Sequence, residues 1–443
     1  MSAAGSVANI DHLFRRQHGQ MVAALTRIFG MHNLKLAEDV VQDAFCRALE
    51  IWKVRGLPEN PAAWLMTAAK NRALDAIRRE RTARNFAPEL DRLLRSEWTV
   101  ASTVNENLGA GAIRDDLLRM MFSCCDPAIS EESQVALILN ILCGFGVDEV
   151  AAAFVSAHDA MEKRITRAKK ILAGSESLFE VNSAGEFATR LPAVHRALYL
   201  LFNEGYHGAC AETAMRSELC REAIRLTREV LTHPEGARPA SFALAALMCL
   251  NAARIRTRKD SSVNLQTLSD QDRSQWDHGL IAEGLRLLEC SASGTELSQF
   301  HVEAAIAAAH ANAPSTDETD WRHVVSLYDI LMQIRPSPVV ALNRAIAVGQ
   351  SEGPERGLMA LDAIGGSERL ARYPFYAAAR ADFELRLGRR DAARRHFQDA
   401  LSAARNPDER RYLTQRLAAC DTLSPCGAPA RKHHARTGAP GEG

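Results

Sequence analysis

The sequence predicts an all-α protein. Alanine, leucine, arginine and glutamate dominate it, apolar residues recur at three- and four-residue spacing, and no sustained alternation of β-branched residues appears. At 443 residues the chain exceeds one ordinary domain, and at roughly 150 residues per domain it holds about three. The expected order is two small helical units, the second with a helix-turn-helix, followed by a long helical-repeat extension of the α-solenoid kind.

Residues 10–84 read as the first unit. A helix from Lys35 to Trp52 carries a broad apolar stripe of Leu36, Val40, Val41, Ala44, Phe45, Ala48, Leu49 and Trp52. Asp39, Gln42, Asp43 and Glu50 lie toward its other side. An acidic edge beside an apolar stripe suits a docking surface, and it also suits an ordinary core helix with a solvated face. The break Gly56-Leu57-Pro58-Glu59-Asn60-Pro61 ends this helix, and Trp64 opens the next. There Lys70, Arg72, Arg78, Arg79, Arg81 and Arg84 outnumber Asp75 and Glu80. Cations at this density neutralise phosphates and release counterions, while Asn71 suits a base edge and the Trp64 ring an unpaired base. A solvated basic helix with Trp64 in the core is the alternative.

Residues 85–112 hold Ser96, Thr99, Ser102, Thr103, Asn105, Asn107 and two glycines, which reads as a linker. Residues 113–174 form the second unit. Gly146 to Phe154 gives a short helix with Asp148 as the expected N-cap. Val155-Ser156-Ala157 then turns the chain, and Ser156 or Asp159 is the expected cap of a longer helix to about Leu172. Short helix, tight turn and longer basic helix is the helix-turn-helix pattern, which any capped helical hairpin also mimics. In that motif the N-terminal residues of the second helix, here His158, Asp159 and Glu162, reach bases. Lys163, Arg164, Arg167, Lys169 and Lys170 are placed for phosphates.

From 180 to 420 the chain is helical and alanine-rich. Near its end Gly357-Leu358, Leu361 and Ile364 align with Ala393-Arg394, Phe397 and Ala400 at a spacing of 36 residues, close to the period of helix-pair repeats. Residues 424–443 hold proline, glycine and basic residues with almost nothing apolar, and are expected to be a disordered tail.

Composition narrows the function. The 54 basic residues balance the 54 acidic ones, so a nucleic-acid surface has to be local. Ten cysteines show no zinc-like spacing and fit reduced thiols. The N-terminus has no secretory pattern, and the longest apolar run, Val135 to Cys143, is interrupted by Asn140 and is far shorter than the roughly 20 residues a membrane span needs. A soluble, cytoplasmic protein without a membrane partner is expected. The P-loop, H-E-x-x-H and G-x-S-x-G patterns are absent, so neither an enzyme nor a cofactor or metal is expected. Asn203, Glu204, Tyr206 and His207 form a polar cluster that suits a small ligand or helix-end packing.

Ala37 to Phe45, Pro61-Ala62-Ala63-Trp64-Leu65 with Asn71 to Asp75 and Arg78-Arg79, and Arg164 to Lys170 together resemble regions two and four of bacterial extracytoplasmic-function (group 4) sigma factors, in that family's order. Leu198 to Tyr206, Asp270 to Asp277 and Ser337 to Ala345 are similar to the tetratricopeptide-like C-terminal extension of one subgroup. The resemblance implies a transcription-initiation subunit that binds core RNA polymerase and promoter DNA. Asp39, Gln42, Asp43, Phe45, Leu49 and Trp52 would dock on the clamp helices of the polymerase largest subunit. Trp64, Lys70, Asn71, Arg72, Asp75, Arg78 and Arg79 would bind the opened −10 element. Ser156, His158, Asp159, Glu162, Lys163, Arg164, Arg167, Lys169 and Lys170 would read the −35 duplex. The extension would regulate the protein or hold a protein partner. The chain departs from the family at His158-Asp159-Ala160, where a small or hydroxyl residue is common, and at Ala157, where the subgroup tends to carry proline. Two rivals stand beside this reading: a stand-alone helix-turn-helix regulator with a sensing repeat domain, and a scaffold built only of helical repeats.

Overall fold

The computed structural model describes residues 17–82, 116–154, 156–174, 184–207, 217–258, 266–365, 370, 373–404 and 407–422. The expected linker at 85–112 and tail at 424–443 lie outside them. Among the described residues every regular element is a helix.

The first unit consists of α1 (residues 17–29), a 3-10 turn (Met31–Asn33), α2 (Leu34–Arg55) and α3 (Pro61–Thr82). Helix α2 stops at Gly56, whose φ of 77° only glycine adopts cheaply and whose N–H caps the Trp52 carbonyl at 3.0 Å. Asn60 starts α3. Its side chain accepts from the Ala63 N–H at 3.1 Å, with Pro61 at the first helical position, where a missing N–H costs nothing.

The second unit is α4 (Asp116–Cys124), α5 (Glu131–Ile141), α6 (Val147–Ala153) and α7 (His158–Ala173). Gln134 braces the α4–α5 turn by donating to the Asp126 and Ile129 carbonyls at 2.9 and 2.8 Å. Asn140, the polar interruption of the apolar run, donates to the Phe145 carbonyl at 2.8 Å and so closes the turn into α6. Both satisfy backbone groups that the turns would otherwise bury unpaired.

The extension runs through α8 (Ala184–His207), α9 (Ser217–Thr232), α10 (Pro239–Ala252), α11 (His278–Ser291), α12 (Gln299–Asn312) and α13 (Trp321–Ile334). It continues through α14 (Pro338–Ser351), α15 (Pro354–Asp362), α16 (Pro374–Arg386), α17 (Arg390–Ser402) and α18 (Pro407–Thr422). Neighbouring helices pack on each other in chain order, with further packing of α10 on α12 and on α8, and of α14 on α16. The two segments aligned at 36 residues lie on α15 and α17, the second helices of consecutive hairpins, with Ile364 just past the end of α15. Between those hairpins the Phe383 ring takes the space of two absent side chains. A Cβ at Gly349 would lie 2.2 Å from its Cζ, and one at Gly357 2.6 Å.

A single continuous core runs from Met21 through Leu172 to Ala304 and joins both small units to the first helices of the extension. Beyond it three smaller clusters follow, centred on Val324, Phe383 and Phe397, as expected where each repeat touches only its neighbours.

Candidate nucleic-acid interface

Helix α2 spends its apolar stripe internally. Phe45 and Trp52 are 3% and 2% exposed, which corrects the expectation that they belong to a docking surface. They lie at the centre of a stripe that must face α3, so their role is to hold the outer face in place. Asp39 and Gln42 are exposed on that face, and Asp43 and Leu49 are half-buried at its edge. The Trp52 and Trp64 rings meet edge to face, 5.3 Å between centroids and 61° between planes, which fixes how α3 leaves the turn.

On α3 Asn71, Arg72 and Asp75 are exposed, while Trp64 and Lys70 are half-buried. Trp64, Asn71, Asp75 and Arg78 recur at spacings of seven, four and three, hence on one helix face. The backbone of α3 reaches Thr82, but the side chains of Arg78 and Arg79 lie outside the described residues. Arg72 is engaged already: its Nε lies 2.5 Å from Asp43 Oδ2 on α2.

Helices α6 and α7 form the short-then-long pair that the sequence predicted, with two corrections at the caps. Asp148 sits inside the first turn of α6, and the N–H of Gly146 is taken instead by Glu149 at 2.9 Å. Helix α7 begins after Ala157, which has extended backbone and no side-chain cap, so neither Ser156 nor Asp159 serves. Ser156 turns back toward the Ala151 carbonyl, which its N–H reaches at 2.9 Å, and Asp159 falls in the first turn, where its charge complements the helix dipole. Asp148 is used across the turn: its Oδ1 lies 2.6 Å from His158 Nδ1. That hydrogen bond, helped by the charge of Asp148, raises the His158 pKa above the ordinary histidine value.

Met161, Ile165, Ala168 and Leu172 bury one face of α7. His158, Asp159, Glu162, Lys163, Arg167 and Lys170 are exposed on the opposite face. Lys163, Arg167 and Lys170 make a cationic stripe that meets no ion-pair partner among the described residues. The other two cations are occupied. Arg164 pairs with Glu132 of α5 at 3.2 Å, and Lys169 pairs with Glu38 of α2 at 2.7 Å. Sequence reading missed Asp148, Glu132 and Glu38 as partners. Only the ten-residue gap between Asp148 and His158, on consecutive helices, offered a local signal.

Tyr206 is buried against Phe202 with nearly parallel rings, and the Arg258 guanidinium lies 4.0 Å from the centre of its ring. Asn203 and Glu204 are half-buried, and the His207 side chain lies outside the described residues. Nearby, Tyr199 donates to Glu303 at 2.9 Å, and burial pushes the Glu303 carboxyl up to about 7. Among the described residues no group of side chains has the makings of a metal site, and no helix is long and apolar enough to cross a membrane.

Comparison with known proteins adds three findings. Residues 13–83, which include α2 and α3, match the family model of Sigma-70 region 2. Residues 190–292 match a Family of unknown function (DUF6596). An uncharacterized protein of Rhizobium meliloti (strain 1021) is 39% identical over 398 residues, covering 90% of this chain and 92% of that protein. No solved structure matches the chain.

Proposed function

From a chain that belongs to the same family as the Rhizobium meliloti protein and carries a sigma-70 region 2 at its N-terminal end, we propose an RNA polymerase sigma factor of the extracytoplasmic-function kind. The observation that carries the proposal is a coincidence of place. The region 2 match falls on the two helices where an exposed acidic edge, Asp39 and Gln42 with Asp43, stands beside a helix bearing Trp64, Asn71 and Arg72.

In this reading α2 docks on the basic clamp helices of core polymerase through Asp39, Gln42, Asp43 and the edge of Leu49, with charge guiding the encounter. Helix α3 takes the opened −10 element, using Trp64 and Asn71 for unpaired bases and Lys70, Arg72, Arg78 and Arg79 for phosphates, while Asp75 faces the same strand. Helix α7 enters the −35 major groove as the second helix of a helix-turn-helix. His158, Asp159 and Glu162 face base edges there, Ser156 approaches the backbone, and Lys163, Arg167 and Lys170 meet phosphates. Arg164 and Lys169 join them only when released from Glu132 and Glu38. The helical-repeat extension, tetratricopeptide-like in this reading, regulates these contacts or holds a protein partner.

Core polymerase binding tests the proposal. The full chain is expected to co-migrate with core polymerase, and Asp39→Arg with Asp43→Arg is expected to abolish this while the circular dichroism of the protein stays helical. Retained binding by the double variant would remove the acidic edge of α2 as the docking site, and binding to duplex DNA with no affinity for polymerase would favour a stand-alone regulator instead.

A further inference from the structure

Two helices of the extension carry matching polar strips. Tyr199, Asn203 and Tyr206 of α8 follow spacings of four and three, and so do Glu303, Ala307 and His310 of α12. Each set therefore lies on one face of its helix, two turns or roughly 10 Å long. Both helices pack on α10. At one end they are tied directly: Tyr199 donates to Glu303 at 2.9 Å, and the Tyr199 and Phe300 rings lie 5.6 Å apart. In the middle stand the Asn203 amide and the Ala307 methyl, both half-buried, so solvent reaches the strip.

The other end is cationic. Arg254, just past α10, has its guanidinium 5.6 Å from the centre of the Tyr206 ring. Burial, and then the charges of Arg254 and Arg273, push the His310 pKa down to about 3 and keep that ring neutral. Arg258 donates to the Tyr206 carbonyl, and Arg273 to the carbonyls of His310 and Ala313 at 2.8 and 2.7 Å. Those two cations are spent on the open carbonyls at the ends of α8 and α12. Arg254 is not. Its Nη2 donates to Asn251 Oδ1 at 2.9 Å, while its Nε and the Nδ1 of His310 are buried without a partner among the described residues. No carboxylate forms an ion pair with Arg254, Arg258 or Arg273 among the described residues. Burial and the charge of Arg254 lower the pKa of both neighbouring arginines, with Glu318 acting on Arg273 in the other direction. Like charges crowded away from water repel one another, and an anion placed among them removes that cost.

We propose that this strip is a binding site for a small oxyanion, a carboxylate- or phosphate-bearing molecule seated on Arg254 and His310 with its body along Asn203 and Ala307. A guanidinium fork beside a neutral imidazole donor matches an oxyanion, and the Tyr206 ring holds the fork in place. The opposite end carries the Glu303 carboxyl, with Tyr199 bonded to it and Arg335 within electrostatic reach. The ligand is therefore anionic at one end only. Asn203 and Tyr206 belong to the polar cluster that the sequence left between ligand binding and helix-end packing. The site is independent of the sigma-factor role.

Melting of the full-length protein, titrated with inorganic phosphate and separately with butyrate at millimolar concentration and constant ionic strength, tests this against sodium chloride. A saturable rise in melting temperature is expected with at least one probe, and the probe that acts at the lower concentration tells a phosphate ligand from a carboxylate. Arg254→Gln is expected to weaken binding at least about tenfold, the effect of losing one charge-assisted hydrogen bond. His310→Phe, which keeps a ring against Trp321, is expected to weaken it a few-fold. No saturable rise with either probe overturns the site, as does binding by Arg254→Gln as tight as that of the wild type. An Arg254→Gln protein that fails to fold assigns the residue to packing and overturns the site as well.

Discussion

Asp43 and Arg72, proposed for polymerase and for DNA respectively, hold each other at 2.5 Å across α2 and α3. The pair is half-exposed on both sides, so its worth to the fold is at most about 1 kcal/mol. Its interest lies in geometry, because it links the helix proposed to meet polymerase to the helix proposed to meet DNA. Asp43→Asn is therefore expected to change urea unfolding by less than about 1 kcal/mol while weakening polymerase binding and promoter opening together. A loss confined to one of the two functions would show that the pair does not couple them.

His158 opens α7 with its Nδ1 committed to Asp148. In the proposed role the ring presents its Nε2 edge, which when the ring is protonated is a donor that suits guanine or thymine oxygen in the major groove. Because Asp148 raises the His158 pKa, the protonated ring and its pairing are present at low pH and are lost as pH rises through the raised value. Duplex affinity should fall over that window, and Asp148→Asn should move the fall to lower pH. Histidine proton NMR resolves the titration, and coincident curves for wild type and variant would exclude the coupling.

His195, buried on α8, contacts the Ser241 hydroxyl at 2.7 Å and is held neutral, its pKa lowered by burial to about 4. A histidine whose folded pKa lies below its unfolded value contributes its full stability above the unfolded pKa, about 6.5. That stability drains as pH falls toward 4, amounting to about 3 kcal/mol for a shift of this size. His18, also lowered to about 4, and His310, to about 3, act in the same direction. Thermal unfolding between pH 7 and 4 should show a steep loss that His195→Gln makes shallower. An equal slope in the variant would remove His195 from this account.

The Phe383 ring against Gly349 and Gly357 sets how close consecutive hairpins of the extension approach. Gly349→Ala places a methyl inside that ring and is expected to cost ~1–3 kcal/mol by overpacking. Phe383→Leu in the same background should recover part of it. An additive loss in the double variant would contradict the contact.

Much of this was legible beforehand because it is periodic or local. The stripe of α2, the helix α3 after the Pro61 turn, the α6–α7 pair and the 36-residue echo of α15 in α17 follow from spacing alone. What escaped depends on tertiary approach. Glu38 and Lys169 are 131 positions apart, so no window of sequence joins them. Phe45 and Trp52 read equally well as docking or core residues until α3 covered them. The caps moved for a related reason: Asp148 and Ser156 are good caps in isolation, but His158 claims the first, and the Ala151 carbonyl lies closer to the second.

Run-off transcription with purified core polymerase, using a template whose −10 and −35 elements have been selected with the full-length protein, tests the central claim most directly. The proposed role predicts a transcript of defined start that requires this chain and disappears with Asp39→Arg and Asp43→Arg. Sequence-selective duplex binding with no transcript from any selected template would contradict it.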